Sequence, residues 1–184
     1  MSVTPFVSVS IDALGRASAG DQAAFADLVR EHESMVFSIA WHVLRDSHLT
    51  EELAQEVFLQ LYRNLTTIES EEHLVFWLLR VTSNRCIDLL RRRSLLPVPL
   101  EHVEIPGSEP EAGDPILRNR LRHLVASLPA AQRVAVTLRY QEDLDPREIA
   151  ELLELPLNTV KSHLRRALAT LREELGDNAE EIAR

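Results

Sequence analysis

The stretch Asp145-Pro146-Arg147-Glu148-Ile149-Ala150-Glu151-Leu152-Leu153-Glu154-Leu155-Pro156-Leu157-Asn158-Thr159-Val160-Lys161-Ser162-His163-Leu164-Arg165-Arg166 decides how this chain is read. Asp145 can cap a helix, Pro146 suits the first helical position, and Glu148 completes a capping box. Ile149, Leu152 and Leu153 give that helix an apolar face. Glu154-Leu155 makes a short turn, and Pro156 opens a second helix. There Val160, Leu164, Leu168, Leu171 and Leu175 recur at three- and four-residue steps and must face a core. At about 100° per residue the opposite side carries Asn158, Ser162, Arg165 and Arg166, with Lys161 on its flank. No acid falls between Asn158 and Arg172. An amide, a hydroxyl, an ammonium and guanidinium groups on one short helix match what major-groove edges and phosphates accept. The pattern is that of a DNA-reading helix-turn-helix. A solvated basic face on an ordinary helical hairpin is the plainer alternative.

The chain has 184 residues, room for one domain or two small ones. Its hydrophobic content of 45% suffices for real cores. No apolar run approaches the roughly 20 residues needed to span a bilayer, so membrane insertion is not expected. Met1 to Ser10 lacks a basic segment followed by an apolar block, so no secretory signal is expected either. The single cysteine, Cys86, reads as a small buried apolar residue, and a reducing, cytoplasmic setting follows. A net charge of −9 argues against nucleic acid only on average. Screening acts over about 8–10 Å at physiological salt, so local patches decide. Arg80, Arg85, Arg91, Arg92 and Arg93 face only Asp88 within their stretch, whereas Glu101 to Asp114 holds five acids and no lysine or arginine. Such segregation suits a protein that touches DNA with some surfaces and another partner with its acidic ones.

From Gly20 to about Ser94 the chain is helical by period. Phe25, Leu28, Val29, His32, Val36, Ile39, Ala40 and Val43 form one stripe. Asp46-Ser47-His48-Leu49 breaks it, and Thr50 with Glu51 and Glu52 reads as the next cap and acidic first turn. That helix buries Leu53, Ala54, Val57, Leu61 and Leu65. A third starts near Ser70-Glu71-Glu72 and buries Leu74, Trp77, Leu78, Val81 and Leu89. Ser94 to Pro115 holds five of the nine prolines and two of the five glycines, and reads as an extended, negative linker. Ile116 to Ser127 is a short helix, Ala130 to Tyr140 another, and the last residues from Gly176 a frayed tail. No alternating strand pattern or internal repeat occurs. The expected fold is all-α: residues 1–19 as an N-terminal extension, helical domains at 20–94 and 116–176, a linker at 95–115 and a tail at 177–184.

The exposed side of the second helix presents Glu52, Gln55, Glu56, Leu59 and Arg63. A leucine among acids is a contact-patch candidate, although single exposed leucines are common. On the third helix Arg80, Asn84 and Arg91 fall on one stripe with Trp77 at its edge. An aromatic beside arginines and an amide can stack an unpaired base and hold neighbouring phosphates. Trp77 as plain core is the competing reading, and Arg91-Arg92-Arg93 also suits a helix C-terminus electrostatically. No catalytic constellation emerges. The seven histidines are scattered without metal-ligand spacing, Cys86 has no nearby cysteine or histidine, and no phosphate loop or nucleophile elbow is present. Neither an enzyme, a metal site nor a cofactor is expected.

Gly20-Asp21, Ala24-Phe25, Leu53-Ala54-Gln55-Glu56-Val57-Phe58-Leu59, Trp77-Leu78, Asn84, Ile87-Asp88 and Leu90-Arg91-Arg92 together resemble sigma region 2. Leu128-Pro129, Gln132-Arg133, Leu138-Arg139-Tyr140, Glu148-Ile149-Ala150 and Thr159-Val160-Lys161-Ser162 resemble sigma region 4. In order and spacing, from Gly20 to Leu175, the chain resembles an extracytoplasmic-function (ECF) sigma factor of the sigma-70 family. That resemblance implies a non-enzymatic initiation factor whose partners are core RNA polymerase, through the β′ clamp helices and β flap, promoter DNA and an anti-sigma factor. It implies that Glu52, Gln55, Glu56 and Leu59 dock on the clamp helices. It assigns Trp77, Arg80, Asn84, Arg91 and Arg92 to the melted −10 element, and the loop from Asn64 to Val75, with Thr66 and Thr67, to capture of a flipped base. Asn158, Thr159, Lys161, Ser162, Arg165 and Arg166 correspond to the −35 reading surface, and the linker to the segment threading toward the polymerase active centre. Family members usually carry glycine where this chain has Asp143, Glu154 and Asn158; glutamate adopts left-handed backbone poorly, so a different turn at Glu154 is expected. Ser83 and His163 stand where arginine is common. An independent helix-turn-helix regulator with an N-terminal sensor is the alternative, and an all-helical adaptor without DNA contact a third; a clamp-docking motif and basic third helix serve neither.

Overall fold

The computed structural model describes residues 10–94 and 115–182, and side chains for 13–93 and 119–175. Helices α1 (Ser10–Ser18), α2 (Gln22–Leu44), α3 (Ser47–Asn64) and α4 (Glu71–Ser94) form the first bundle, with a single 3-10 turn, Leu65–Thr67, between the last two. Helices α5 (Pro115–Ser127), α6 (Ala130–Tyr140), α7 (Pro146–Leu152) and α8 (Leu157–Ile182) form the second. No strand occurs among the described residues. The all-α reading holds; the expected linker at 95–115 lies, up to Asp114, outside the described residues.

Helices α2, α3, α4 and α7 begin where a short polar side chain satisfies otherwise unpaired N–H groups. Asp21 accepts from the amides of Ala23 and Ala24 at the start of α2. Ser70 Oγ accepts from the His73 amide at 3.1 Å ahead of α4. Asp145 accepts from Arg147 and Glu148, while the Glu148 carboxylate accepts from the Asp145 amide at 2.6 Å, which closes the expected capping box. The start of α3 differs from the sequence reading. Asp46, not Thr50, is the cap and accepts from the Leu49 amide at 3.0 Å. Thr50 is buried inside the first turn, where its hydroxyl donates to the Asp46 carbonyl at 2.7 Å. An aspartate one turn earlier outcompetes it, so α2 and α3 are joined by only Arg45 and Asp46, with Arg45 in a left-handed C-cap at φ 56°.

The apolar stripes turn inward as their spacing dictates. Leu28, Val36, Ile39, Leu53, Val57, Leu61, Leu74 and Leu78 are fully buried in the first bundle, and Leu138, Ile149, Leu152 and Val160 in the second. Each such burial stabilises by about 1.5–3 kcal/mol. Cys86 is fully buried as expected, and Thr82 and Ser83 near it in sequence are buried too.

Two outer segments behave differently from their sequence reading. Within the supposed N-terminal extension, α1 packs on α2 and buries Ala13, Leu14 and Ala17, an i, i+1, i+4 face too short to stand out by periodicity. Ser18 Oγ donates to the Leu65 carbonyl at 3.3 Å, and Arg16 binds Asp21 at 2.6 Å, tying that helix to the 3-10 turn and to the start of α2. At the other end α8 continues past Gly176 to Ile182 where a frayed tail was expected. No proline stops it, and one interior glycine costs only about 1 kcal/mol.

The two bundles pack together. Helix α6 lies against α2 and α4, and α7 touches α4. Arg133 on α6 is one polar link between the bundles. Its Nη1 donates to the Val43 carbonyl at 2.8 Å, in the last turn of α2, and its Nη2 donates to the carbonyls of Leu128, at 3.1 Å, and Ala126. Carbonyls at a helix C-terminus attract a cation. Burial, followed by the neighbouring charge of Arg45, pulls the Arg133 guanidinium down to about 10, so it remains charged at neutral pH.

Candidate nucleic-acid interface

Helix α8 presents its polar face outward. Asn158, Lys161, Arg165 and Arg166 are exposed, and Thr159 and Ser162 are half-buried at its margins. Val160, Leu164, Ala167 and Leu171 hold the opposite side against the core, so the helix can enter a groove without unfolding. His163 lies partly buried between these faces. Burial, then the Arg166 charge, lowers its pKa below the ordinary 6.5, so at neutral pH it adds no cation where family members commonly carry arginine. The α6–α7 and α7–α8 connections both keep the left-handed backbone that glycine usually provides. Asp143 and Glu154 both stand at φ 53°, contrary to the expectation of a different turn at Glu154. Asn158 falls in the first turn of α8 and has no positive φ. The backbone path of the helix-turn-helix is therefore kept with non-glycine residues.

Helix α4 carries the second basic surface, and three of its arginines have acidic partners from elsewhere in the fold. Arg80 reaches Glu154 at 2.5 Å, Arg85 reaches Glu56 at 3.0 Å, and Arg93 reaches Asp46 at 3.1 Å. A tally of charge within one sequence stretch misses this, because the acids come from α3, the α2–α3 junction and the α7–α8 turn. Asn84, Arg91 and Arg92 are exposed on α4. Trp77 is half-buried and packs against the core, so it serves the core with part of its ring and leaves part accessible.

Thr66 and Thr67 are both exposed in the 3-10 turn ahead of α4. The Thr67 hydroxyl donates to the Asn64 carbonyl at 2.7 Å, which leaves only its acceptor lone pairs for a ligand. Thr66, Glu69 and Ser70 line one wall of a cavity of about 700 Å³ whose other wall is α1, through Leu14, Gly15 and Ser18. Sequence periodicity does not reveal that wall, because the apolar face of α1 is only Ala13, Leu14 and Ala17.

On α3, Glu52, Gln55, Glu56 and Leu59 all face solvent, with Leu59 58% exposed. Beside them Phe37 and Tyr62, 39% and 50% exposed, edge an apolar groove of about 470 Å³ between α2 and α3. Tyr62 is held edge-on to Phe25 with ring centroids 5.1 Å apart. Both aromatics escaped the sequence reading; their signal is an aromatic placed on the otherwise polar side of an amphipathic helix.

The absence of metal-ligand spacing among the histidines is also qualified by the fold. Ligand atoms of Glu31, His32 and Glu71 lie within 4.8 Å of one another. Glu71 belongs to α4 and the other two to α2, so no local spacing could announce the cluster.

The profile of Sigma-70 region 2 matches residues 28–95, and that of Sigma-70 region 4 matches residues 118–171. The ECF RNA polymerase sigma factor SigW of Bacillus subtilis is 30% identical over 176 residues, covering 86% of this chain and 92% of that protein. The ECF sigma factor SigK of Mycobacterium tuberculosis is 32% identical over 182 residues, covering 94% and 97%. In fold the chain is similar to the sigma factor RpoE of Bartonella quintana, solved with the anti-sigma factor NepR, at TM-score 0.68 and 20% identity, covering 83% of this chain and 96% of that one. It is similar also to CnrH, solved with the cytosolic domain of CnrY, at TM-score 0.66 and 20% identity over 92% and 98% of the two chains. No helix among the described residues is long and apolar enough to cross a membrane. The chain belongs to the extracytoplasmic-function family of RNA polymerase sigma factors.

Proposed function

We propose that this ECF sigma factor binds core RNA polymerase through the outer face of α3 and directs it to promoters through α4 and α8. Glu52, Gln55, Glu56 and Leu59 dock on the β′ clamp helices, with the apolar groove beside them extending the contact. The second bundle meets the β flap and reads the −35 element with Asn158, Thr159, Lys161, Ser162, Arg165 and Arg166. Asn84, Arg91 and Arg92, with the accessible part of Trp77, hold the melted −10 strand, and Thr66 and Thr67 read its flipped base. Arg80 joins them once Glu154 lets go. The observation that carries this reading is the division of faces: an acidic-apolar surface on α3 and, from Asn158 to Arg172 of α8, a basic surface free of acids, each backed by buried core.

The chain acts in the cytoplasm as a non-enzymatic specificity factor, with functional units at 20–94 and 116–176 and the linker at 95–115 between them. An anti-sigma factor, the class of partner named for the RpoE neighbour, covers the same α2–α3 surface and so competes with polymerase. The test is co-elution with core polymerase on a sizing column. The parent chain is expected to co-elute, and the Glu56→Arg, Leu59→Ala double variant is expected to elute alone with unchanged helical content. Retention of the variant on core would move the docking surface elsewhere.

A further inference from the structure

We propose that Glu31, His32 and Glu71 form a site for one divalent transition-metal ion, zinc or a near neighbour, clamping the start of α4 to α2. His32 is 7% exposed, and its Nε2 has no hydrogen-bond partner. The nearest acid atom, Glu71 Oε1, is 3.5 Å away, and the other carboxylate oxygen, Oε2, is itself buried without a partner. Buried polar atoms are normally paired, so an orphaned imidazole nitrogen beside an orphaned carboxylate oxygen points to a missing ligand common to both. Glu31, one residue before His32, brings a third donor to within 4.8 Å of the other two.

Geometry and charge select the occupant. A tetrahedral ion bound at about 2.0–2.1 Å holds neighbouring ligand atoms about 3.3 Å apart, close to the Nε2–Oε1 separation. The Glu31 side chain is at the surface and can close the remaining distance by rotation. The adjoining cavity is lined by Glu31, Glu69, Glu71 and Glu72 with no lysine or arginine among its lining residues, a field that attracts a cation and repels an anion. An imidazole with two carboxylates suits zinc, cobalt, iron(II) or manganese, whereas calcium and magnesium prefer oxygen alone and copper(I) prefers sulfur. The fourth position opens toward the cavity and takes water. Thr66 and Ser70 line the same cavity, so an ion that fixes Glu71 also fixes the loop before α4. That last consequence rests on the loop's assigned role at the promoter; the binding of the ion does not.

The experiment uses the untagged full chain, stripped with a chelator and titrated with Co²⁺ and then Zn²⁺. Visible absorption reports the coordination, and the thermal unfolding midpoint reports linkage to folding. The expected result is one equivalent of Co²⁺ with the intense absorption of a four-coordinate site, displaced by Zn²⁺, and a higher midpoint with metal. Glu31→Gln and Glu71→Gln are each expected to weaken binding at least tenfold, whereas His48→Ala leaves it unchanged. Glu31 is exposed, so its substitution tests the site without threatening the fold. Binding that does not saturate at one equivalent, or equal affinity in the parent and both glutamine variants, would overturn the proposal.

Discussion

The guanidinium of Arg80 on α4 is held 2.5 Å from the carboxylate of Glu154, the left-handed residue in the turn of the helix-turn-helix. A side chain assigned to the −10 strand is thus bound to the domain assigned to the −35 element. The free chain holds its two bundles against each other, and in the proposed promoter complex this pair parts.

Magnitude limits what the pair can do. Arg80 and Glu154 are 39% and 65% exposed, and such surface pairs contribute at most about 1 kcal/mol. Glu154→Gln is therefore expected to raise the affinity of the free chain for single-stranded −10 DNA by no more than about fivefold, measured by fluorescence anisotropy. Glu154→Gly removes the same carboxylate and also the Cβ strain at φ 53°. It should be more stable than Glu154→Gln by about 0.5–1 kcal/mol in denaturant unfolding. Equal stability would show that the turn relaxes without glycine.

Arg133 carries more of the closed packing, because its charge-assisted bond across the bundles, to the Val43 carbonyl, is part-buried. Hydrogen bonds from charged groups contribute about 1.5–3 kcal/mol. Cys86 supplies the reporter. Burial pushes its thiol up to about 12, with the Arg133 charge pulling the other way, so the thiol is inert at neutral pH in the closed chain. Arg133→Ala is expected to accelerate alkylation of Cys86 at least tenfold and to enlarge the radius of gyration. Unchanged alkylation with intact helix content would mean that Arg133 does not hold the bundles together.

In the recognition helix the two cations should separate by role. Arg165→Ala should weaken binding to the preferred −35 element by about 1–3 kcal/mol, with little effect on a scrambled one, if the guanidinium grips a base edge. Lys161→Ala should weaken both equally and lower the salt slope by about one phosphate. Competition binding of holoenzyme at several salt concentrations distinguishes them, and equal losses for Arg165→Ala on both sequences would reassign it to the backbone.

Acid should unfasten α7. Hydrogen bonds from the backbone amides of Glu148 and then Arg147 hold the Asp145 carboxyl below its ordinary 3.8, so its contribution is complete above that value and disappears as pH falls through the lowered one. The difference in thermal midpoint between the parent and Asp145→Ala should be constant near neutrality and shrink below pH 3.8. A difference independent of pH would assign the cap to its hydrogen-bond geometry rather than its charge.

Local chemistry was the legible part. The capping box at Asp145, the stripe Val160–Leu164–Leu171 and the outward face of Glu52, Gln55, Glu56 and Leu59 all come from periods and caps within a few residues. What stayed hidden was one local competition and several contacts with distant partners. Thr50 is a sound cap until Asp46 is seen to start the helix a turn earlier. Arg80 and Arg85 look unneutralised until Glu154 and Glu56 arrive from other elements, and His32 looks like core until Glu71 is brought beside it. The short face of α1 acquires meaning only once α2 is there to cover it.

The most direct measurement is transcription by core RNA polymerase, with and without this chain, from a library randomised at two promoter elements. With the chain present, transcripts should start at a fixed distance from a paired −35 and −10 motif, and the Glu56→Arg, Leu59→Ala variant should give none. Core alone should show no such pairing. The account would be contradicted if the chain added no motif-dependent starts, or if the doubly substituted chain supported them as well as the parent.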